Sequence, residues 1–225
     1  SSLNLVGLTC HIGSQITELD SFEDAAKQAL DLLIELDKLN IKIDFIDMGG
    51  GLGVNYVGEE TPQPFELIQS YENIFEGRNE TLILEPGRSI SANAGIMLAK
   101  VEYKKDNFII TNAAMNDLLR PALYDAHHDI WPVVKNDSPA SNVNVVGPIC
   151  ETGDFLAKDI NIAASENDLL AVRTVGAYGS VMSSNYNSRP RAAEVLVDKK
   201  NFYLIRKRED NSSLTSLEEG LDDQI

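Results

Sequence analysis

Short apolar runs alternate with amphipathic helical segments over residues 1–95, and this alternation restricts the possible fold more than any other feature. The runs predict strands at 3–10, 43–48 and 81–84, and apolar spacing predicts a helix capped by Ser21 and another over 64–75. Near-continuous apolar strands separated by helices indicate a parallel sheet buried on both faces. We therefore predict an α/β fold with three strand-helix units, which form part of a barrel or of a doubly wound sheet. Because the first strand starts almost at residue 1, we expect a piece of a longer protein.

The character of the sequence changes near residue 96. From there on, loops rich in Asn, Asp, Ser and Gly join the apolar segments, and helical spacing is largely lost. Predicted strands lie at 96–103, 108–111, 143–146, 169–175, 193–197 and 202–206. Residues 213–221 fit either a short acidic helix or a solvated tail. These patterns predict two domains, an α/β domain at 1–95 and an antiparallel β domain at 96–225.

The chain is acidic, with a net charge of −16, and contains two cysteines, Cys10 and Cys150. No basic stripe can neutralise phosphates, so we expect neither nucleic acid nor an anionic membrane as a partner. No apolar stretch in the sequence reaches the length of a membrane span. Cysteines without Cys-x-x-Cys spacing are typical of the reducing cytoplasm. His11, His127 and His128 show no ligand spacing with them, so we predict no metal site.

Residues typical of active sites follow the second and third predicted strands. They are Gly49, Gly50 and Gly51 after the second strand, and Glu85, Pro86, Gly87 and Arg88 after the third. In α/β barrels, the active site lies at the carboxyl ends of the strands. The glycines fit either a loop that presents N–H groups to an anion or a tight turn. Their spacing differs from that of the dinucleotide-binding fingerprint.

Each polar side chain at these strand ends has more than one interpretation. Glu85 fits a residue that holds a proton on a ring nitrogen, or a salt bridge to Arg88. Arg88 has a planar guanidinium that suits a phosphate or a carboxylate. His11 follows the first strand and fits either a residue that lies flat against a ring or a buried core histidine.

Three segments of the second half contain further candidate site residues. Arg120 and Tyr124 lie four residues apart and suit a substrate carboxylate, or else represent a surface arginine and a packed tyrosine. Cys150 and Glu151 lie in the turn-rich segment 147–154, where a thiol can donate a proton or act as a nucleophile. Tyr178 stands between small residues, which favours a site over a core position.

Five motifs follow one another along the chain: His-Ile-Gly-Ser-Gln at 11–15, Gly-Gly-Gly at 49–51, Glu-Pro-Gly-Arg at 85–88, Cys-Glu-Thr-Gly-Asp at 150–154 and Gly-Ala-Tyr-Gly at 176–179. Together and in this order they resemble the diaminopimelate decarboxylase family, whose members are pyridoxal-phosphate enzymes of the alanine-racemase-like barrel group. The resemblance implies that residues 1–95 are the last strand-helix units of a (β/α)8 barrel of the TIM type, and that 96–225 form a β-rich C-terminal domain. It implies the C-terminal part of an enzyme that decarboxylates meso-2,6-diaminopimelate to L-lysine.

The resemblance also implies a role for each candidate residue. His11 would stack on the pyridoxal phosphate ring, Glu85 would contact the ring nitrogen, and Tyr178 would contact cofactor and substrate. Cys150 would protonate the carbanion left after loss of CO2, and Glu151 would bind the distal ammonium of the substrate. The phosphate and ring would be held by Ser14, Gly49, Gly50, Gly51, Pro86, Gly87 and Arg88, and the substrate carboxylate by Arg88, Arg120 and Tyr124.

The sequence departs from the family pattern in one respect. The Schiff-base lysine of the family lies on an early barrel strand, and none of the eleven lysines here has that context, so we expect this chain alone to be inactive. Related decarboxylases of ornithine, arginine or carboxynorspermidine, and a non-catalytic paralogue that binds a partner, are alternatives. Ornithine-type members carry Asp where this chain has Glu151, which favours diaminopimelate. Because the family's cysteine loop enters the partner's active site, the resemblance implies a cytoplasmic homodimer with composite active sites.

Overall fold

The computed structural model describes residues 3–135 and 139–220, and the chain divides into two compact units, Ser1–Ala94 and Gly95–Ile225. Strands alternate with helices in the first unit, and strands predominate in the second. The strands and α-helices of unit 1 are β1 Gly7–Thr9, α1 Leu19–Lys38, β2 Phe45–Asp47, α2 Pro64–Ile74, β3 Thr81–Ile83 and α3 Arg88–Ser91, and a 3-10 helix follows at Ala92–Ala94. The strands and α-helices of unit 2 are β4 Met97–Lys105, β5 Phe108–Thr111, α4 Arg120–Tyr124, β6 Ile130–Pro132, β7 Ser141–Val146, β8 Phe155–Ile162, β9 Leu169–Val172, β10 Glu194–Asp198, β11 Asn201–Arg206 and α5 Asn211–Thr215. Two 3-10 helices, Ser180–Met182 and Tyr186–Ser188, lie between β9 and β10.

The strands of unit 1 form a parallel sheet, as the alternation of strands and helices predicts, and their order in the sheet is β1-β2-β3. Ile46 lies at the centre of the sheet face that packs against α1 and α2, in one core with Phe22 and Tyr71. Thr9 and Ile83 lie on the opposite face and are exposed. The prediction of burial on both faces is therefore wrong for this chain, because the helices cover one face only.

The two long helices of unit 1 begin differently. α1 begins two residues before the predicted cap Ser21, and its N-cap Glu18 makes no side-chain cap hydrogen bond. Packing of its apolar face therefore determines its position more than capping does. α2 begins at the predicted residue, because Gln63 and Glu66 form a capping box in which the N–H of Gln63 donates to Oε2 of Glu66 at 2.6 Å.

Six strands of unit 2 form one sheet in the order β6-β9-β4-β5-β7-β8, and β10 pairs with β11 in a separate antiparallel hairpin. The pairing of β5 with β7 is parallel, so the prediction of an antiparallel β domain is wrong at that pair. The chain between these strands contains α4 and β6, which is long enough to return it in the same direction. The core of the sheet includes Val101, Ile109, Val145, Leu156 and Leu170.

Two strands of unit 2 were not predicted from the sequence. β8 carries Lys158 and Asp159 in its middle, and β6 contains Pro132, which cannot donate a hydrogen bond to a neighbouring strand. Residues 213–221, which fit either a short acidic helix or a solvated tail, lie partly in a short helix that begins earlier, at Asn211, and ends at Thr215. Residue 221 lies outside the described residues. Of the helices within 3–135 and 139–220, none has the length and hydropathy needed to cross a membrane.

Candidate active-site residues

The loops that follow β1, β2 and β3 lie side by side at the carboxyl edge of the unit 1 sheet. Backbone hydrogen bonds continue the parallel ladder beyond the strand ends. The N–H of Cys10 donates to the carbonyl of Asp47 at 2.8 Å, and the N–H of Glu85 donates to the carbonyl of Gly49 at 2.7 Å. The structure therefore brings together the predicted residues of all three loops, which are His11, Ser14, Gly49, Gly50, Gly51, Glu85, Pro86, Gly87 and Arg88.

Gly49, Gly50 and Gly51, which we call the glycine series, lie between the loop that follows β1 and the loop that follows β3. A Cβ at Gly50 would lie 2.2 Å from the carbonyl oxygen of Glu85, and a Cβ at Gly51 would lie 2.3 Å from the carbonyl oxygen of Gly13. Gly49 and Gly51 also adopt φ angles of 67° and 104°, which side chains rarely permit. The glycines thus form the tight turn that was one interpretation of the sequence, and they bring three loops into backbone contact.

Arg88 is the centre of a polar cluster at this edge. Its Nη2 donates to Oγ of Ser14 at 3.1 Å, and its Nη1 donates to the hydroxyl oxygen of Tyr56 at 2.9 Å. Tyr56 is buried and was not predicted as a site residue, because a tyrosine after a glycine-rich segment resembles ordinary core sequence. Glu85 is exposed and forms no salt bridge within the described ranges, so the predicted alternative of a pair with Arg88 is wrong.

His11 is exposed beside the glycine series, so its interpretation as a buried core histidine is wrong. Its Nδ1 lies 3.3 Å from the N–H of Gly50 and accepts that hydrogen. In the neutral ring the proton is therefore on Nε2. The hydrogen bond fixes the ring at the edge of the sheet.

Cys150 and Glu151 are exposed in unit 2, in a compact loop over residues 147–154 that we call the Cys150 loop. The loop closes on itself, because the N–H of Gly147 donates to the carbonyl of Asp154 at 3.1 Å. The buried carboxylate of Asp154 accepts the N–H of Ile149 at 2.8 Å and the N–H of Met115 at 2.7 Å. The sequence had indicated a loop here but no role for Asp154.

Tyr186 lies next to Glu151 and was not predicted as a site residue. Its hydroxyl donates to Oε2 of Glu151 at 3.2 Å. That hydrogen bond, with the charge of Glu151, raises the pKa of Tyr186, so the phenol keeps its proton through the neutral range. The only sequence signal was an aromatic hydroxyl within the polar segment 184–188.

Arg120 and Tyr124 are the first and last residues of the short helix α4, and the structure does not make them an exposed pair. Arg120 is buried and its Nη1 lies 2.8 Å from Nε2 of His128, whereas Tyr124 is exposed. Tyr178 has a φ of 59°, which is unusual for an aromatic residue and costs of order 1–3 kcal/mol. Such strain is typical of functional positions.

The sequence of the chain is similar to that of known decarboxylases. Residues 10–176 match the family described as "Pyridoxal-dependent decarboxylase, C-terminal sheet domain". The chain is 52% identical to the diaminopimelate decarboxylase of Pseudomonas aeruginosa over 211 residues, which are 92% of this chain and 51% of the relative. It is 50% identical to that of Vibrio cholerae over 225 residues, which are 98% of this chain and 54% of the relative.

The fold is also that of solved decarboxylase structures. The crystal structure of diaminopimelate decarboxylase from Helicobacter pylori complexed with L-lysine superimposes with a TM-score of 0.91 at 40% identity, covering 99% of this chain and 56% of that one. The chain is thus an α/β protein with the fold of these enzymes. The chain belongs to the pyridoxal-dependent decarboxylase family, which confirms the resemblance seen in the sequence. It spans about half the length of the curated relatives that it matches.

Proposed function

We propose that this chain is the C-terminal part of a diaminopimelate decarboxylase, which converts meso-2,6-diaminopimelate to L-lysine and CO2 with pyridoxal 5'-phosphate as cofactor. The observation that carries the proposal is the cluster of Arg88, Ser14 and Tyr56 beside the glycine series, in a chain about half identical to enzymes of that name. The complex of the Helicobacter pylori relative with L-lysine supports lysine as the product.

The donors at the unit 1 edge fit pyridoxal phosphate. A phosphate dianion needs positive charge and hydrogen-bond donors, and Arg88 supplies the charge while Ser14 and Tyr56 supply hydroxyls. The N–H of Gly51 adds a further donor, since it has no partner within 3–135 and 139–220. Exposed His11 offers a flat face for the ring. The hydrogen-bond donors therefore match the phosphate of the cofactor, and the face of His11 matches its ring.

Each unit 1 residue then has a defined task. When bound, pyridoxal phosphate supplies the electron sink that makes loss of CO2 feasible. The carboxylate of Glu85 holds a proton on the ring nitrogen, which strengthens that sink. His11 fixes the plane of the ring. Arg88 and its hydroxyl partners anchor the phosphate, and Arg88 also binds a substrate carboxylate in this proposal.

The substrate is recognised and protonated by residues of unit 2. The thiol of Cys150 donates its proton to the carbon that has lost CO2, and the resulting thiolate takes a proton from solvent. Glu151 pairs with the distal ammonium of the substrate, and the hydroxyl of Tyr186 orients the carboxylate of Glu151. Arg120 and Tyr124 bind the substrate carboxylate, and Tyr178 contacts cofactor and substrate.

We also propose the architecture that this function requires. Residues 1–95 would be the last strand-helix units of a (β/α)8 barrel of the TIM type, and 96–225 the C-terminal β domain. Three parallel strands with helices on one face support the barrel, since further barrel strands would cover the exposed face. The enzyme would be a cytoplasmic homodimer, and the Schiff-base lysine would lie outside this chain.

The deciding experiment is a substrate panel with the full-length enzyme loaded with pyridoxal phosphate. Labelled meso-diaminopimelate, lysine, ornithine and arginine are supplied separately, and CO2 release is measured. We expect turnover of diaminopimelate above all others, and no turnover by residues 1–225 alone. Preference for ornithine or arginine would contradict the substrate. Absence of turnover with cofactor bound would support a non-catalytic paralogue that binds a partner.

A further inference from the structure

His128 and Arg120 form a buried pair within unit 2. Arg120 is 8% exposed and His128 is 1% exposed. Nη1 of Arg120 lies 2.8 Å from Nε2 of His128, and Nδ1 of His128 lies 2.8 Å from the carbonyl oxygen of Arg173. The imidazole thus joins the guanidinium to the backbone of another segment.

The chemistry of the two contacts determines the proton positions on His128. A guanidinium can only donate, so Nε2 of His128 must accept. A backbone carbonyl can only accept, so Nδ1 must carry the proton and donate it to the carbonyl of Arg173. Both contacts are satisfied together by one form only, which is the neutral ring with its proton on Nδ1.

The sheet gives this imidazole a rigid support. The N–H of Arg173 donates to the carbonyl of Asp129 at 2.9 Å, directly beyond the pairing of Ile130 with Val172 between β6 and β9. His128 therefore contacts the end of β9 while it stands at the start of β6. Arg120, in contrast, belongs to a five-residue helix whose C-cap Asp125 has a φ of 51°. A helix of this length does little to restrict the direction of the side chain on its first residue.

We propose that His128 is a positioning residue that sets the orientation of the Arg120 guanidinium for the substrate carboxylate. The sheet fixes His128, and the hydrogen bond from Nη1 to Nε2 transmits that position to the fork of donors on Arg120. This inference rests on the proposed function, since it assumes that Arg120 binds substrate. In this proposal His128 touches neither cofactor nor substrate and acts only through Arg120.

Two amide substitutions separate this role from a merely structural one. In His128→Gln the amide reaches the place of Nε2, so it can still accept from Arg120. In His128→Asn the shorter amide reaches the place of Nδ1, so it can still donate to the carbonyl of Arg173 but loses the contact with Arg120. A positioning role requires the contact with Arg120, which Gln keeps. A role that only anchors the fold requires the contact with the carbonyl of Arg173, which Asn keeps.

The measurement is steady-state kinetics of the full-length holoenzyme with diaminopimelate. We expect His128→Asn to raise KM about tenfold and to leave kcat within about twofold. The reason is that a misoriented Arg120 guanidinium binds the carboxylate less well in the ground state and the transition state alike. We expect His128→Gln to remain within about threefold of the wild type. The matched control is His127→Asn, since His127 is exposed and pairs with Asp129, and it should change neither constant. Equal KM values for the Asn and Gln variants would overturn the proposal.

A double substitution keeps the test valid if one variant is unstable, and it separates the two levels of inference. Arg120→Gln alone should raise KM, and adding His128→Asn should raise it no further, because His128 acts through Arg120. Additive effects would overturn the positioning role. An unchanged KM for Arg120→Gln would instead contradict the substrate role of Arg120 in the proposed function. A raised KM for Arg120→Gln beside an unchanged KM for His128→Asn would contradict only the role of His128.

Discussion

Glu151 is the residue on which the proposed preference for diaminopimelate depends most directly. Its carboxylate is exposed next to Cys150 and accepts a hydrogen bond from the hydroxyl of Tyr186. A flexible side chain loses rotamer freedom when it binds a ligand, and a neighbour that already restricts it lowers that cost. We therefore expect Tyr186 to restrict Glu151 in advance for a distal ammonium, and not to bind the substrate itself.

At the residue scale, we predict that Glu151→Gln raises KM for diaminopimelate about tenfold and that Tyr186→Phe raises it roughly threefold, with kcat nearly unchanged in both. The reason is that a charge pair with a distal group acts equally on bound substrate and transition state. Steady-state kinetics of the full-length enzyme measures both effects. Tyr203→Phe, which removes an exposed hydroxyl of β11, is the control. A fall in kcat at constant KM for Glu151→Gln would place Glu151 in proton transfer.

Among elements, the Cys150 loop depends on a carboxylate that the sequence motif contains but does not explain. Asp154 lies inside the loop and ties it to the neighbouring segment through Met115 and Ile149. A Cβ at Gly147 would lie 2.4 Å from Oδ2 of Asp154, so the glycine makes room for the carboxylate. The buried carboxylate therefore holds in place a loop whose tip exposes Cys150.

We predict that Asp154→Asn loosens this loop. An amide offers one oxygen, so the N–H of either Met115 or Ile149 loses its acceptor, and a buried unpaired group costs about 1–3 kcal/mol. Amide hydrogen exchange should be roughly tenfold faster at one of these two positions. Asp117→Asn is the matched control, because its carboxylate contacts Ala114, Asn116 and Arg189 but neither Met115 nor Ile149, so exchange at those two amides should not change. Unchanged exchange at both Met115 and Ile149 would show that other contacts hold the loop.

The elements also show which parts of the structure sequence patterns can predict. The bounds of β5 agree with the prediction, and the parallel pairing of β1, β2 and β3 follows from apolar runs separated by helices. β8 was missed because its charged middle hides the alternation, although Leu156 and Ile162 are buried. Motif order indicated most candidate site residues. It gave no role to Tyr56, His128, Asp154 or Tyr186, because their importance lies in hydrogen bonds between segments far apart in sequence.

For the whole molecule, the proposed function assigns cofactor binding and proton donation to residues of different units. His11, Ser14 and Arg88 belong to unit 1, and Cys150 and Glu151 belong to unit 2. A compact, turn-rich loop with exposed Cys150 and Glu151 at its tip suits insertion into another chain, and a two-fold dimer would supply two such loops to two sites. We therefore favour composite sites shared between subunits over sites built within one chain.

Hybrid dimers test this arrangement directly. We predict that a full-length enzyme with Cys150→Ala and one lacking the Schiff-base lysine are each inactive, and that mixing them restores activity. In a composite dimer each hybrid contains one intact site, because the functional loop and the functional lysine come from different chains. Equal mixing makes half of the dimers hybrids, so activity should reach about one quarter of the wild-type value. CO2 release is measured after subunit exchange, which is verified by isolating hybrids through two different affinity tags. Hybrids that form but remain inactive would show that each site is built from one chain alone.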